Sequence, residues 1–365
     1  MNESAPELSV DGCRNRQRML CDYLVQHKID AAITSNRHYV HGLTGYWHEQ
    51  PLTPVAVVVG ADGTTTLACP GEDPKVAAVD DHRGFAANRC CTLIENQMGA
   101  LAKAVLPVIA NFAAIGTTDV AWPWLAASRW IDITSDYQSI RRTKLADEIE
   151  MLRVAISAAD AVYQCAKETL CEGTDEVELY ARLLATATVA LGEPLSGWGQ
   201  DFQIGTPGGF PRARAAQSGE LAILDIGVGF RGYRCDLSRT FAISATATPQ
   251  QTEAHRRILE VFDRIESQLA PGLDCHRLYD SVHEMLDGWQ GYSFFHHLGH
   301  GIGLDPHEVP RLNPNWDDTL QAGDVIAVEP GLYGETLRGG MRLEQNYVIT
   351  ENGFERLSHF PLDLC

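Results

Sequence analysis

The chain has 365 residues, 45% hydrophobic and 21% charged, an ordinary globular composition whose length suggests two domains at roughly 150 residues each. Its 48 acidic residues against 29 basic ones leave a net charge of -19, which repels phosphate backbones and anionic lipid and argues against nucleic acid or a membrane as partner. No apolar run approaches the ~18 residues of a membrane span and the N-terminus has no apolar leader, while the ten cysteines, without a CxxC and adjacent only at Cys90 and Cys91, read as reduced thiols; a soluble, cytoplasmic protein is expected.

In chain order, Met19, Leu20, Tyr23 and Leu24 suit one face of a helix, and "DAAIT", "TPVAVVVG" and "ADGTTTLACP" read as strands. This alternating α/β pattern fades near "TSDYQSIRRTK". The boundary is placed between Asp136 and Arg142, giving domains 1–138 and 139–365. Beyond it Leu145, Ile149, Leu152, Ile156, Ala159 and Val162 step by three and four, as in a long amphipathic helix. Thr174 can N-cap the next helix, and Ile258, Phe262, Ile265 and Leu269 form another apolar stripe. The strand-like segments "LAILDIGV", "YRCDLSRTFAI", "DVIAVEPGLY" and "MRLEQNYVIT" lie apart from these helices, so the second half is expected to be α+β.

Each of those four segments carries an acid among apolar neighbours. A hairpin centred on Phe230 and Arg231 would set Asp225 directly opposite Asp236, their Cβ atoms ~5 Å apart, where like charges destabilise a sheet. Period-two alternation groups Glu329 with Val325 and Ala327, and Glu344 with Arg342 and Asn346. A glutamate after "VIAV" is costly to bury unless paired or bound to a cation. For any single acid, neutralisation by Arg342 or Arg239 is the competing explanation, but four acids exceed what two arginines neutralise. "HHLGHGIGLDPHEVP", residues 296 to 310, adds four histidines among glycines. Oxygen-rich ligation with one imidazole suits Mn, Fe, Co or Zn, and four carboxylates are enough for two cations, which at ~3.5 to 4 Å apart would bridge and activate a water.

In that order, "DIGVGFRGYRCDLSRTF", "HHLGHGIGLDPHEVP", "IAVEPGLY" and "MRLEQNYVIT" resemble the pitta-bread metallopeptidases, the family of Xaa-Pro aminopeptidase, prolidase and creatinase. "IRRTKLADEIEMLRVAISAAD" resembles the helix that opens their catalytic domain, and "TSNRHYVHGLTGYW" their smaller N-terminal domain. The resemblance implies an α+β fold, a C-terminal pitta-bread catalytic domain with a smaller α/β creatinase-type N-terminal domain. Carried over residue by residue, it puts the ligands of two divalent ions on Asp225, Asp236, His300, Glu329 and Glu344, with Mn favoured and Zn, Co or Fe as alternatives. Glu329 would also shuttle a proton, His307 would stand over the scissile carbonyl, and His296 would line the substrate pocket. The glycines at 299, 301 and 303 would let the backbone pack close to that site. Arg342 would bind a substrate carboxylate or hold Glu344 in place. Trp47 and His48 follow "LTGY", where the family often reaches a neighbouring subunit's active site; otherwise His38, His41 and His48 read as surface or domain-contact residues. His297 reads as structural.

The implied activity is dinuclear metal-dependent cleavage of Xaa-Pro bonds in dipeptides or short peptides, of prolidase or aminopeptidase P type, with a metal-bridged hydroxide as nucleophile and a homodimer as the assembly. One departure stands out. Family peptidases usually carry another histidine upstream of the first metal-binding Asp, and "SGWGQDFQIGTPGGFPRARAAQSGELAILD" has none, offering Arg212 and Arg214 instead. Two alternatives therefore accompany the peptidase. One is a small-molecule enzyme on the same scaffold, either like the dimethylsulfoniopropionate lyases or an amidohydrolase. The other is a non-catalytic binding protein. The lyases carry an Asp where this chain has Gly227, and silent relatives tend to lose ligands, of which none is lost here.

Overall fold

A computed structural model describes residues 6–50, 52–71, 74, 77–86, 96–119, 129–243 and 247–364. Its contacts divide the chain into two compact units, residues 1–141 with 145–147 and residues 142–144 with 148–365. Among the described residues no helix is long and apolar enough to cross a membrane, and the described cysteines are free thiols; Cys90 and Cys91 lie outside the described residues.

The first unit is a six-stranded mixed sheet in the order Asp81–Phe85, Thr65–Pro70, Ala56–Gly60, Ala31–Thr34, Ala114–Thr117, Arg129–Asp132. Ala31–Thr34 and Ala56–Gly60 are buried along their whole length, as expected of inner strands covered on both faces. Ile33, Val58 and Ile115 pack with Leu101, Val105 and Ile109 of the helix Gln97–Ile109. The helix Val10–His27 starts at Ser9, whose hydroxyl accepts from the Gly12 amide at 2.9 Å, the usual N-cap arrangement.

In the second unit, helices Ala146–Thr169, Glu176–Leu191, Pro249–Glu266 and Cys275–Leu286 accompany antiparallel strands. Five strands form one sheet in the order Glu308–Leu312, Gly299–Gly301, Val325–Val328, Gln345–Thr350, Gly353–Arg356. Ile258, Val261, Phe262 and Ile265 of the Pro249–Glu266 helix pack with Ile326, Val328 and Ile349 of that sheet. Of the stripe expected from 145 to 162, Leu152, Ile156, Ala159 and Val162 lie on the buried face of Ala146–Thr169, whereas Ile149 is half-buried and Leu145 precedes the helix. At its centre the Tyr163 hydroxyl donates to the Leu237 carbonyl at 2.5 Å, tying the helix to the strand Leu237–Ala242. One capping expectation is corrected. Asp175, not Thr174, caps Glu176–Leu191, its carboxylate accepting from Val177 N and Glu178 N, because Thr174 turns its hydroxyl back to the Cys171 amide.

Candidate metal centre

Two interrupted antiparallel ladders place the acids. In the first, Leu221–Ile226 pairs with Leu237–Ala242, and Asp225 lies opposite Ser238. The ladder continues with Gly229 opposite Arg234 and Phe230 opposite Tyr233, and it closes at Arg231 and Gly232, whose φ values of 47° and 93° are both left-handed. Two positive φ angles make the type I′ turn that matches the twist of paired strands. The turn is centred one residue later than the sequence suggested, so Asp225 and Asp236 are diagonal neighbours instead of directly opposed. They remain on one face, and with Glu344 they offer oxygens within 4.8 Å of one another.

The second ladder joins Val325–Val328 to Gln345–Thr350 and Gly331–Gly334 to Gly339–Arg342. It breaks between its halves, at Glu329 and Glu344, which therefore sit where the strands change sheets. The Glu344 amide donates to the Ser238 carbonyl at 3.0 Å, bringing the second ladder against the first. His300 comes from the strand Gly299–Gly301, between Ala327 and Arg311. A Cβ at Gly299 would run into the Ala327 carbonyl and one at Gly301 into the Val309 carbonyl, so only glycine permits this close approach.

The His300 ring is oriented by the backbone. Its Nδ1 lies 3.0 Å from the Gly301 carbonyl, which can only accept, so Nδ1 carries the hydrogen. Nε2 then points at Glu329 Oε1 at 3.4 Å and Asp236 Oδ2 at 3.8 Å, and it is the ring nitrogen left to serve a cation. A carbonyl that fixes the tautomer of an imidazole is a usual companion of metal-binding histidines.

Glu344 is buried, and neither carboxylate oxygen has a hydrogen-bond partner among the described residues. Burial and then the nearby Asp236, Glu329 and Asp225 push its carboxyl well above the usual range. Asp225 is raised by burial and by Asp236, and burial also raises Asp236. Burial would raise Glu329 too, but the His300 hydrogen bond, His297 and Arg342 outweigh it and hold Glu329 at about 2. A buried carboxylate without a donor is unfavourable, and a divalent cation is what these oxygens and the His300 Nε2 fit together. The donor set, four carboxylates and an imidazole, matches Mn, Fe, Co or Zn.

Arginine does not replace that cation. Arg342 Nη2 lies 2.5 Å from Asp201 Oδ2 and 2.7 Å from Asp225 Oδ2, while Nη1 donates to the Tyr333 hydroxyl at 3.3 Å. The expected hold on Glu344 is thus corrected to a hold on Asp225 and Asp201. Arg239 donates to the carbonyls of Ser238, Glu344, Phe360 and Pro361 and neutralises none of the four acids.

The acids open onto a cavity of about 540 Å³ whose wall includes His296, His297, His300 and His307. His296 Nδ1 donates to the His297 carbonyl at 2.7 Å, and Nε2 accepts from the Tyr333 hydroxyl at 2.8 Å. Burial lowers its pKa to about 4. His307 is exposed and stacks on His300 with ring centres 3.9 Å apart; desolvation and then the charge of His300 bring it to about 4. His297, expected to be structural, instead puts Nδ1 3.2 Å from Glu329 Oε1, because the turn before Leu298 aims both adjacent imidazoles at the cavity.

Asp201, Arg234, Phe295 and Tyr333 also line the cavity and were missed in the sequence. Asp201 lies in an irregular segment bridged to Asp225, which no periodicity marks. Arg212 and Arg214 are spent elsewhere: Arg212 Nη2 lies 2.6 Å from Glu176 Oε1 and Arg214 Nη2 2.5 Å from Glu220 Oε1. Trp47 and His48 belong to the first unit. There the buried His48 meets the Thr53 hydroxyl at 2.8 Å, and Trp47 packs with His38 and Arg37. His41 and His48 are buried, so of their reading as surface or domain-contact residues the surface alternative is set aside.

The family model for metallopeptidase family M24 matches residues 150–351. An Xaa-Pro dipeptidase of Pyrococcus furiosus is 31% identical over 234 residues, 62% of this chain and 66% of that one, so the match spans just under two thirds of the relative's length. A putative dipeptidase of Bacillus subtilis, YkvY, is 25% identical over 96% of this chain and 99% of its own. The crystal structure of the prolidase from Pyrococcus horikoshii, 21% identical, superposes with a TM-score of 0.79 over 96% of this chain and 100% of that chain. That likeness shows the fold, a pitta-bread domain of α+β type.

Proposed function

The chain belongs to metallopeptidase family M24, and from that premise we propose that it is a dinuclear metal-dependent peptidase cleaving Xaa-Pro bonds in dipeptides or short peptides. The observation that carries the reading is the buried Glu344 carboxylate, without a hydrogen-bond partner among the described residues, beside Asp225, Asp236, Glu329 and the Nε2 face of His300. These five residues would hold two divalent ions, Mn first. When bound, such ions supply Lewis acidity and lower the pKa of water.

The side chains account for the remaining steps. Glu329 is held ionised, so its carboxylate can take a proton from the attacking water and return it to the leaving nitrogen. His307 is neutral and exposed beside His300, and its N–H would donate to the carbonyl oxygen as negative charge develops there. His296 has both nitrogens engaged, so it shapes the wall and steadies Tyr333. Phe295 is 66% exposed and packs on Tyr333 with ring centres 4.6 Å apart. That apolar surface suits a pyrrolidine ring, whose imide nitrogen has no hydrogen to satisfy. Arg212 and Arg214 are occupied by Glu176 and Glu220, so of the two features that favoured a small-molecule substrate only the absent upstream histidine remains. The relatives named Xaa-Pro dipeptidase support the proline preference.

Glu329→Gln tests the reading, with an expected fall in kcat of about 10²- to 10⁴-fold and an unchanged circular dichroism spectrum. Turnover at the parent rate would contradict it. The family resemblance also proposes a homodimer, which light scattering at micromolar concentration checks.

A further inference from the structure

His307 ends an irregular loop, residues 302–307, that joins the paired strands Gly299–Gly301 and Glu308–Leu312 and closes on Gly301 opposite Glu308. Its exposed ring stacks on His300 and meets His297 edge-on. Aromatic contacts tolerate several geometries, so the placement of the ring depends on the backbone that carries it. That backbone rests on a buried ion pair. Glu308 turns its carboxylate back to the loop, where Oε1 accepts from the Asp305 amide at 2.9 Å and Oε2 lies 2.7 Å from Lys144 Nζ. The two side chains are sealed from solvent, Lys144 at 1% exposure and Glu308 at 0%. A Cβ at Gly303 would come 2.8 Å from both Glu308 Oε1 and Lys144 Cε, so glycine at 303 makes the room that the pair fills. Lys144 is itself fixed, its amide donating to the Gly323 carbonyl and its ammonium to the Arg142 carbonyl, each at 2.8 Å. Among the described residues that wall the cavity, His307 is present and Lys144 and Glu308 are not. A buried ion pair adds little stability over apolar residues of the same volume, and its best-attested use is to select one arrangement.

We propose that Lys144 and Glu308 are positioning residues for the reaction: their ion pair fixes the 302–307 loop so that the His307 N–H reaches the carbonyl oxygen of the substrate. The inference rests on the peptidase reading, which gives His307 that task. Without the ammonium, Glu308 is a buried carboxylate that has lost its counter-charge, an arrangement costly enough to drive the side chain out of place. The Asp305 amide then loses its acceptor, and the loop relaxes two residues before His307. A shift of about 1 Å in a reacting group costs on the order of 10²-fold in rate.

The test follows alanyl-proline hydrolysis by the manganese-loaded full chain in a set of variants. Lys144→Met should lower kcat by about 10- to 100-fold, with KM and bound manganese unchanged. In a His307→Ala background it should cost nothing more in kcat, because residues that act through one group are not additive. Adding Glu308→Gln to Lys144→Met removes the orphaned charge and keeps an oxygen for the Asp305 amide, so most of kcat should return. Adding Glu308→Leu instead also removes the charge and keeps the fold but leaves that amide no acceptor. This second double variant should lose kcat as the single one does, with Tm near that of the parent, and it carries the test where Lys144→Met alone does not fold. Parent-like kcat in Lys144→Met or in the Glu308→Leu double variant, or a loss that multiplies with that of His307→Ala, would overturn the proposal while leaving the peptidase reading intact. If the parent chain cleaves nothing, the peptidase reading fails, and amide exchange decides the loop anchor by itself. The Asp305 amide should exchange about tenfold faster in the Glu308→Leu double variant than in the parent, as for one lost hydrogen bond, and an equal rate refutes the anchor.

Discussion

Glu329 and Glu344 face each other across the break in one antiparallel ladder, since Val328 pairs with Gln345 on one side and Gly331 with Arg342 on the other. Opposed like charges weaken a sheet. Glu329 is compensated by His300 at 3.4 Å and His297 at 3.2 Å, whereas neither oxygen of Glu344 has a hydrogen-bond partner among the described residues. The bend in the ladder turns both carboxylates toward the cavity, so the sheet is interrupted where the chemistry is placed.

A cation should therefore stabilise the fold through Glu344. Adding manganese to chelator-treated protein at about a hundred times its Kd contributes ~2.7 kcal/mol, a rise in Tm of roughly 5 to 10 °C for a domain of this size. Glu344→Gln should remove most of that rise. A thermal scan showing no dependence on the metal in the parent chain would contradict the metal centre.

His307 is expected to matter for rate and little for stability. It is exposed, and its ring stacks on His300 and meets His297 edge-on, so His307→Ala should shift Tm by only a degree or so, in line with surface substitutions. Loss of a donor to the developing oxyanion costs on the order of 10²- to 10³-fold in kcat. Steady-state kinetics with kcat unchanged would remove His307 from the reaction.

Arg212 should behave in the opposite way. Burial would raise the carboxyl of Glu176, but its bonds from Arg212 and the Ile204 amide outweigh burial and hold it below the usual range. Stability from a lowered folded pKa is present above the unfolded value of ~4.3 and is lost as pH falls through the folded one. Arg212 is 38% exposed and Arg214 also lies beside Glu176, so Arg212→Gln should cost about 1 kcal/mol at neutral pH, and the difference from the parent should shrink below pH 4. Equal urea midpoints at pH 7 would show the pair to be dispensable.

The strands, the acids and the histidine loop were legible because period-two alternation and a charged residue in an apolar run are local signals. The hairpin register was misplaced by the turn. Arg231 adopts a positive φ of 47°, which a sequence without Asn-Gly does not advertise. The fates of the arginines depend on distant partners: Arg212 on Glu176 in a helix that precedes it, and Arg342 on Asp201, 141 residues away. Asp201 and Arg234 became visible only when three-dimensional contacts gathered one irregular segment and one hairpin around the same cavity.

The central claim is proline-dependent, metal-dependent peptide cleavage. The most direct measurement loads the chain with manganese, verifies the bound metal, and follows release of the first residue from an Xaa-Pro dipeptide, an Xaa-Pro-Yaa tripeptide and matched Xaa-Ala controls. The account predicts cleavage of the proline dipeptide well above its alanine control, abolished by chelation and restored by manganese. Equal rates on proline and alanine substrates, or no turnover by metal-loaded protein, would contradict it.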